Sequence, residues 1–489
     1  MRSLMLSALL VAAVLAGCSS SPPPTPSPHT AALAPTLPGF TPVAKADLPT
    51  FSAPILIDST RAGGEPVIAI THQGHILVSA HPGFTHYHPS GEDPAATADL
   101  ATPFAGQSYM WRSTDNGTTW TPLGIPGVGP VPAQPDGPRN AGLGVSDPEF
   151  TVMPDGTICF TDLENLAMSS TSCSSDDGLS WLPGNPVASG APTDRQWLAS
   201  YGNEFYFTAN YFTDHHLRAS KDKGLTWEDR GDVPCSGDLV ADPSNGHLVV
   251  GCGPGVAVSE DAGRTWSDVR GVPEHETGSR AMSEPGIDGA GNVWVTWGQD
   301  EKSLWAAGSP DEGKTWPWVI DLTPHVKLFA STNPSAGTST GNGTYVWPWI
   351  SAGSDGRFAV TWFHSFADGP SNKQNGPWYV LSATVVGANT AAPSVAVSQL
   401  TPKPMHDGPI CQSGTTCQVS SVQGQASGDR RLGDFFETTI GNDGYLYGVW
   451  SNTGEKPTDV ISHPQFVRQT GGLRLIADAD LGKVHPTQG

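Results

Sequence analysis

One eight-residue pattern, Ser-x-Asp-x-Gly-x-Thr/Ser-Trp, occurs five times in this chain: Ser113 to Trp120, Ser174 to Trp181, Ser220 to Trp227, Ser259 to Trp266 and Ser309 to Trp316. In each copy the short Asp can accept hydrogen bonds from backbone N–H groups of the turn, Gly supplies a positive φ, and Trp returns the chain to apolar packing. Each copy is therefore expected to be a hairpin turn with an aromatic anchor. Their Asp residues, Asp115, Asp176, Asp222, Asp261 and Asp311, recur about every 40 to 60 residues, the period of one four-stranded propeller blade.

A strand pair around a Gly-containing turn precedes each copy: Gly64 to Ala80, Asp147 to Asp162, Arg195 to Asn210, Asp238 to Cys252 and Pro285 to Trp297. Two further pairs, Val346 to Trp362 and Gly433 to Trp450, follow without a motif and bring the count to seven. Alternation such as Asn292-Val293-Trp294-Val295-Thr296-Trp297, with frequent Gly and Pro and no helical period, makes the chain all-β. The expected fold is a β-propeller of seven blades, five of them carrying the motif. Closing the ring would make Pro54-Ile55-Leu56-Ile57 an outer strand of the last blade. The motif closely resembles the Asp box, or BNR repeat, of sialidases, sortilin-type receptors and related propellers. That resemblance implies a sialidase-like propeller with its boxes on the blade periphery, and it keeps six blades, the sialidase number, as the alternative.

The N-terminus has the layout of an export signal: Arg2, an apolar run from Leu4 to Leu15, then small residues before Cys18, too short to span a bilayer. Leu15-Ala16-Gly17-Cys18 resembles the bacterial lipobox, which implies cleavage after residue 17 and a lipid on Cys18; an ordinary cleaved signal peptide is the competing reading. Residues 18–50, rich in Ser, Pro, Thr and Ala, then form a tether, and 51–489 form the propeller. The expected location is extracytoplasmic, with the membrane touched only through the lipid.

Setting Cys18 aside, the other six of seven cysteines fall into local pairs, Cys159 with Cys173, Cys235 with Cys252, and Cys411 with Cys417. The second pair flanks the turn Asp242-Pro243-Ser244-Asn245, so a hairpin centred there brings its members together. None of the pairs has the two-residue spacing of a zinc site, and disulfides are expected. A net charge of −22 with no Lys/Arg cluster argues against nucleic acid. Of the sixteen Trp, which could suggest carbohydrate stacking, five belong to the motifs and most others alternate within strands, so interblade packing is their expected role; the chain is expected to be a monomer.

Propeller chemistry gathers where the inner strands begin and converge. Six of the seven strand starts carry an acid, so Glu65, Asp147, Asp194, Asp238, Glu284 and Asp434 are expected to ring the channel mouth, with Arg195 paired to one of them. Such a ring could bind a glycan or a protein, hold Ca²⁺ through oxygen ligands, or supply acid and base for glycoside hydrolysis. The alternative is that the acids cap N–H groups where chains enter strands. No metal or cofactor is otherwise expected, although His81, His86 and His88 form a conceivable metal loop. The sialidase resemblance implies three Arg and a Tyr nucleophile. Gly64 stands at the first Arg position, which leaves Arg61, Arg195, Arg280, Arg430 and Tyr345 as the residues that would have to converge, none in a recognisable catalytic motif. A binding propeller is therefore the leading expectation. A glycoside hydrolase of exo-α-sialidase type or a divergent relative comes second, and a cell-envelope scaffold third.

Overall fold

The computed structural model describes residues 37–81, 108–125, 128–130, 145–164, 168–182, 185–189, 193–211, 215–275, 283–336, 341–373, 376–412, 428–456 and 462–483. Seven antiparallel sheets follow one another, each led by an inner strand: Gly64–Ile70, Val145–Val152, Thr193–Tyr201, Leu239–Ala241, Pro285–Ile287, Thr344–Ala352 and Glu437–Ile440. Within each sheet the main strands lie side by side in chain order. This is a seven-bladed β-propeller, and the six-bladed alternative does not hold. Closure comes from the two ends of the chain, since Thr50–Phe51 and Ile55–Leu56 both pair with His463–Gly471, the third strand of blade seven. The ring is thus closed by N-terminal strands that complete blade seven before the chain enters blade one.

Blades stack face to face, so the inner strands are buried on both sides. Every residue of Gly64–Ile70 and of Ile76–His81 is buried, whereas the outer strand Thr121–Pro122 is exposed. Tryptophans fill the joints as expected. Trp294 of blade five stacks on Trp318 at 5.5 Å and leans on Phe358 of blade six at 4.8 Å.

All five eight-residue motifs turn between the third and fourth strands of blades one to five. In the third copy, Ser220 Oγ accepts the Gly224 N–H at 2.8 Å, and Asp222 takes the Thr226 N–H at 2.8 Å and the Thr226 hydroxyl at 2.6 Å. Equivalent bonds recur in the other four. Asp therefore accepts and Gly is left-handed, as expected, while Ser is a second hub. A further feature is that the residue before Gly is left-handed too, at φ 57 to 67° in Asn116, Asp177, Lys223, Ala262 and Glu312. Two successive left-handed residues match a type I′ turn, whose twist suits a hairpin.

These left-handed residues also fasten neighbouring blades. Asp177 pairs with His75, Lys223 donates to Thr157 Oγ1 at 2.7 Å, and Glu312 pairs with His247 at 2.6 Å, each partner lying just before the second strand of the preceding blade. Glycine is required by close approach as well as by φ: a Cβ on Gly263 would stand 1.9 Å from Leu217 of blade three. Inner turns and motifs thus share one end of the propeller, the box face. Inner strands begin at the opposite end, the mouth.

Two disulfides form as the spacing suggests. Cys159 faces Cys173 directly across adjacent strands, with Cα atoms 4.1 Å apart. In blade four the register Leu239↔Val250 would place Cys252 opposite Gly237; the turn of chain before Leu239 brings in Cys235 instead, Cα–Cα 5.3 Å. Loops of this size are worth about 3 kcal/mol in the chain-entropy model. Cys411 is also disulfide-bonded. Its expected partner Cys417 lies outside the described residues, as do Cys18, His86, His88 and Arg280.

Candidate site at the channel mouth

Four inner strands open with the same local device. Glu65, Asp147, Arg195 and Trp347 have φ of 46°, 50°, 45° and 49°, each beside a slip in the ladder to the second strand. A bulge there re-aims the side chain. Holding a bulky L-residue left-handed costs on the order of 1 to 3 kcal/mol. Pro66, Pro148 and Pro348 follow three of the four and remove an N–H that a bulge would leave unpaired.

Acids from several blades stand together here, and some of them cap backbone. Glu65 Oε1 accepts the Asp434 N–H at 2.8 Å, Asp147 Oδ2 the Arg195 N–H at 2.9 Å, and Glu437 Oε2 the Ile68 N–H at 2.9 Å. Each of these bonds joins two neighbouring blades. Acids also touch acids: Asp147 bonds Glu65 and Asp194, Asp238 bonds Glu284, and Glu149 bonds Glu437. A bond between two carboxyls requires a proton on one of them.

Burial supplies that proton. Loss of water, followed by the charge of Glu65, pushes the Asp147 carboxyl up to about 8. Burial likewise lifts Glu149 to about 8 and Asp238 to about 7, and it raises Glu65, Glu284 and Glu437. Asp194 opens to solvent, yet protein encloses enough of its carboxyl, with Asp147 beside it, to lift it to about 7. Of the expected ring, Asp194 is exposed and Asp434 half-buried, while the other acids are enclosed.

Arg195 lies at the centre. Its guanidinium carbon sits 3.3 Å from the centroid of the Trp197 ring and 3.4 Å from that of Phe435, and a terminal nitrogen is 3.6 Å from Glu149. None of its guanidinium nitrogens makes a hydrogen bond to the described residues. Trp197 also meets Trp349 of blade six at 6.3 Å. Aromatic rings from different sides of the propeller therefore fill the axis beneath the mouth. Arg430 forks onto Asp434 and stands 3.7 Å from Glu65.

Some expected residues stand elsewhere. His81 is not part of a loop: it ends a strand, buried, with Nε2 at 2.8 Å from Glu65, and burial pushes it down to about 4, so it is neutral. Arg61 is tied to Asp58 at 2.6 Å. Tyr345 lies in the core of blade six, its hydroxyl donating to Asn342 O at 2.8 Å. Arg195 and Arg430 alone of the candidate arginines reach the mouth among the described residues. The last inner strand begins at Glu437, three positions beyond the expected Asp434, because residues up to Phe436 form the approach to the blade. Glu437 and Glu149 were not anticipated. Glu149 follows Asp147 by two residues, the strand period, and that signal could have found it. Among the described residues, no group of three or more His, Cys, Asp or Glu side chains is arranged to hold a metal ion.

No protein-family model and no curated protein matches the chain. Solved structures similar to it include a fungal alcohol oxidase of the AA5 family in complex with copper, at 12% identity and TM-score 0.47, covering 87% of this chain and 76% of that one. YCF48 bound to D1 peptide is 10% identical at TM-score 0.42, covering 88% and 96%. The intramolecular trans-sialidase from Ruminococcus gnavus in complex with oseltamivir carboxylate is 13% identical at TM-score 0.37, covering 88% and 97%. Likeness at this level assigns no chemistry to the chain.

Proposed function

We propose that the chain is a lipid-anchored, extracytoplasmic binding propeller whose mouth takes a glycan or protein ligand. The observation that carries this reading is the set of four left-handed, non-glycine residues at the mouth. Blades four, five and seven begin their inner strands without such a residue, so the propeller does not require the device, and strain kept at one rim points to use. Asp194, Asp434 and Trp347, the parts of this rim with access to solvent, would touch the ligand. Ca²⁺ would have to compete with the shared protons and with Arg195, so it has no part in this reading. The disulfides fit an oxidising compartment, and no described helix is long and apolar enough to cross a membrane.

Two measurements test the proposal. Cys18→Ala should move the protein from the membrane fraction to the soluble fraction; retention would show that something else anchors it. On a glycan array or with envelope proteins as probes, Asp194→Asn and Trp347→Ala should each weaken binding about ten-fold, roughly 1.4 kcal/mol, in protein that circular dichroism shows to be folded. Binding that survives both changes would remove the mouth as the site.

Glycoside hydrolysis is the second reading, favoured by one observation: Asp194 is solvent-accessible and protonated to about 7, as a general acid must be. A sialoside is nevertheless expected to be left intact. Its carboxylate would enter an acid ring in which Arg195 is already stacked on rings and Arg430 already forked. Turnover of a fluorogenic sialoside, lost in Asp194→Asn with folding intact, would overturn this expectation.

A further inference from the structure

We propose that the box face docks on the lipid surface through Leu179, Leu182, Leu225 and Tyr201, so that the mouth points away from the membrane. The inference rests on the lipid anchor at Cys18 and begins from strand directions. Thr50 pairs with Gly471, the last residue of the third strand in blade seven, which is the end at which the motifs lie in other blades. Thr41 donates to Pro393 O, in the turn between the third and fourth strands of blade six, at the same end. The chain leading back to Cys18 therefore leaves from the box face.

Exposure is distributed the same way. Six large apolar side chains are exposed among the described residues, and none is at the mouth. Leu179 and Leu225, 63% and 58% exposed, follow Gly in the second and third motifs, and Leu182 follows the second. Tyr201 ends the inner strand of blade three at its inner turn. The other two, Val269 and Val319, lie on the outer segments of blades four and five. The motif does not call for leucine at this position, because the other copies carry Thr118, Arg264 and Lys314 there. An exposed leucine on a turn tip adds nothing to folding, whereas it can enter an acyl boundary. Lys221, Arg264 and Lys314 are exposed on the same face, but so are Asp115, Asp176, Glu260 and Asp261, so the apolar side chains rather than charge carry the contact.

A lipid surface fits better than a soluble partner because of the tether. Residues 37–50 of the expected tether lie on the propeller, with Thr41 bonded to Pro393 O and Leu48 buried, so only the 18 residues between Cys18 and Leu37 remain as a spacer, about 60 Å as polyproline II. The face that the tether leaves is thus held close to the bilayer, where a weak contact becomes an intramolecular one and is populated without high affinity.

The test uses the full chain carrying Cys18→Ala, which has no lipid, and sedimentation with vesicles of phosphatidylethanolamine and phosphatidylglycerol. The protein should partition weakly onto the vesicles. Leu179→Ser, Leu182→Ser and Leu225→Ser together should lower that partition at least ten-fold, since three apolar side chains are removed from the interface. Asp194→Asn at the mouth should leave it unchanged. All three leucines are solvent-exposed, so folding should survive, and an unchanged melting temperature checks this. Equal sedimentation of the triple variant, or none by the parent, would overturn the proposal. Concentration-dependent self-association abolished by the triple variant would also overturn it, by making a second copy the occupant. Failure of the anchor itself reads out separately, as an N-terminal peptide whose mass shows no lipid on Cys18.

Discussion

Replacing Arg195 with Met is expected to destabilise the propeller by about 3 to 5 kcal/mol at pH 9, where Glu149 has given up the proton it holds to about 8, the range for breaking a buried ion pair by removing one partner. Arg195 is 5% exposed, and its charge lowers the proton affinity of Glu65, Glu149, Asp238, Glu284 and Glu437 together. Met retains much of the volume between Trp197 and Phe435 but leaves those acids without their central cation. They can respond only by taking up further protons or by admitting water. Arg195→Lys should fall between the two, because an ammonium keeps the charge and loses the flat stack on both rings. Urea unfolding of the three proteins measures the difference. A loss below about 1 kcal/mol in Arg195→Met would mean that the surrounding acids are neutral enough not to need it.

Stability is also expected to fall as pH rises from about 5 to 9. The sign follows from proton counts. Asp147 and Glu149, raised to about 8, and Asp194 and Asp238, raised to about 7, keep protons in the folded state that they lose near 4 when unfolded. Their contribution is complete below the unfolded values and disappears as pH passes through the folded ones. Each proton retained gives a slope of about 1.4 kcal/mol per pH unit over that window. The motif aspartates act in the opposite sense. Hydrogen bonds from Thr119 hold Asp115 down at about 2, and those from Thr265 outweigh a raising effect of burial in Asp261, also to about 2. Their stabilisation is present above pH 4 and is lost as the solution is acidified toward 2. The melting temperature should therefore peak between about 4 and 6. Glu284→Gln, which donates to Asp238 without a titrating proton, should flatten the alkaline limb. A melting temperature that rises from pH 5 to 9 would contradict the shared-proton description of the ring.

The blades were legible because the features that define them are local. The Ser-x-Asp-x-Gly-x-Thr/Ser-Trp turn closes hydrogen bonds within its own eight residues, as in Ser220 to Gly224 and Asp222 to Thr226, so its sequence carries its geometry wherever it occurs. Cys159 and Cys173 are likewise symmetric about one hairpin, and strand register alone sets them face to face. Which acids to consider was legible from periodicity, since equivalent positions in successive blades approach one axis.

What each acid does there depends on residues far away in the chain. Glu65 meets the Asp434 N–H across 369 positions, and Glu149 shares its proton with Glu437, a residue whose place in blade seven emerges only once that blade's approach segment has been laid down. The stacking of Arg195 needs Trp197 from its own strand and Phe435 from the far end of the chain. Sequence by itself determined the repeating turns, the all-β blades and the candidate acids, because those depend on spacing within a blade. Tertiary structure alone decided which carboxyls are protonated, which face water and which residues lie at the axis. Those properties arise from burial between blades, and burial depends on closing the ring.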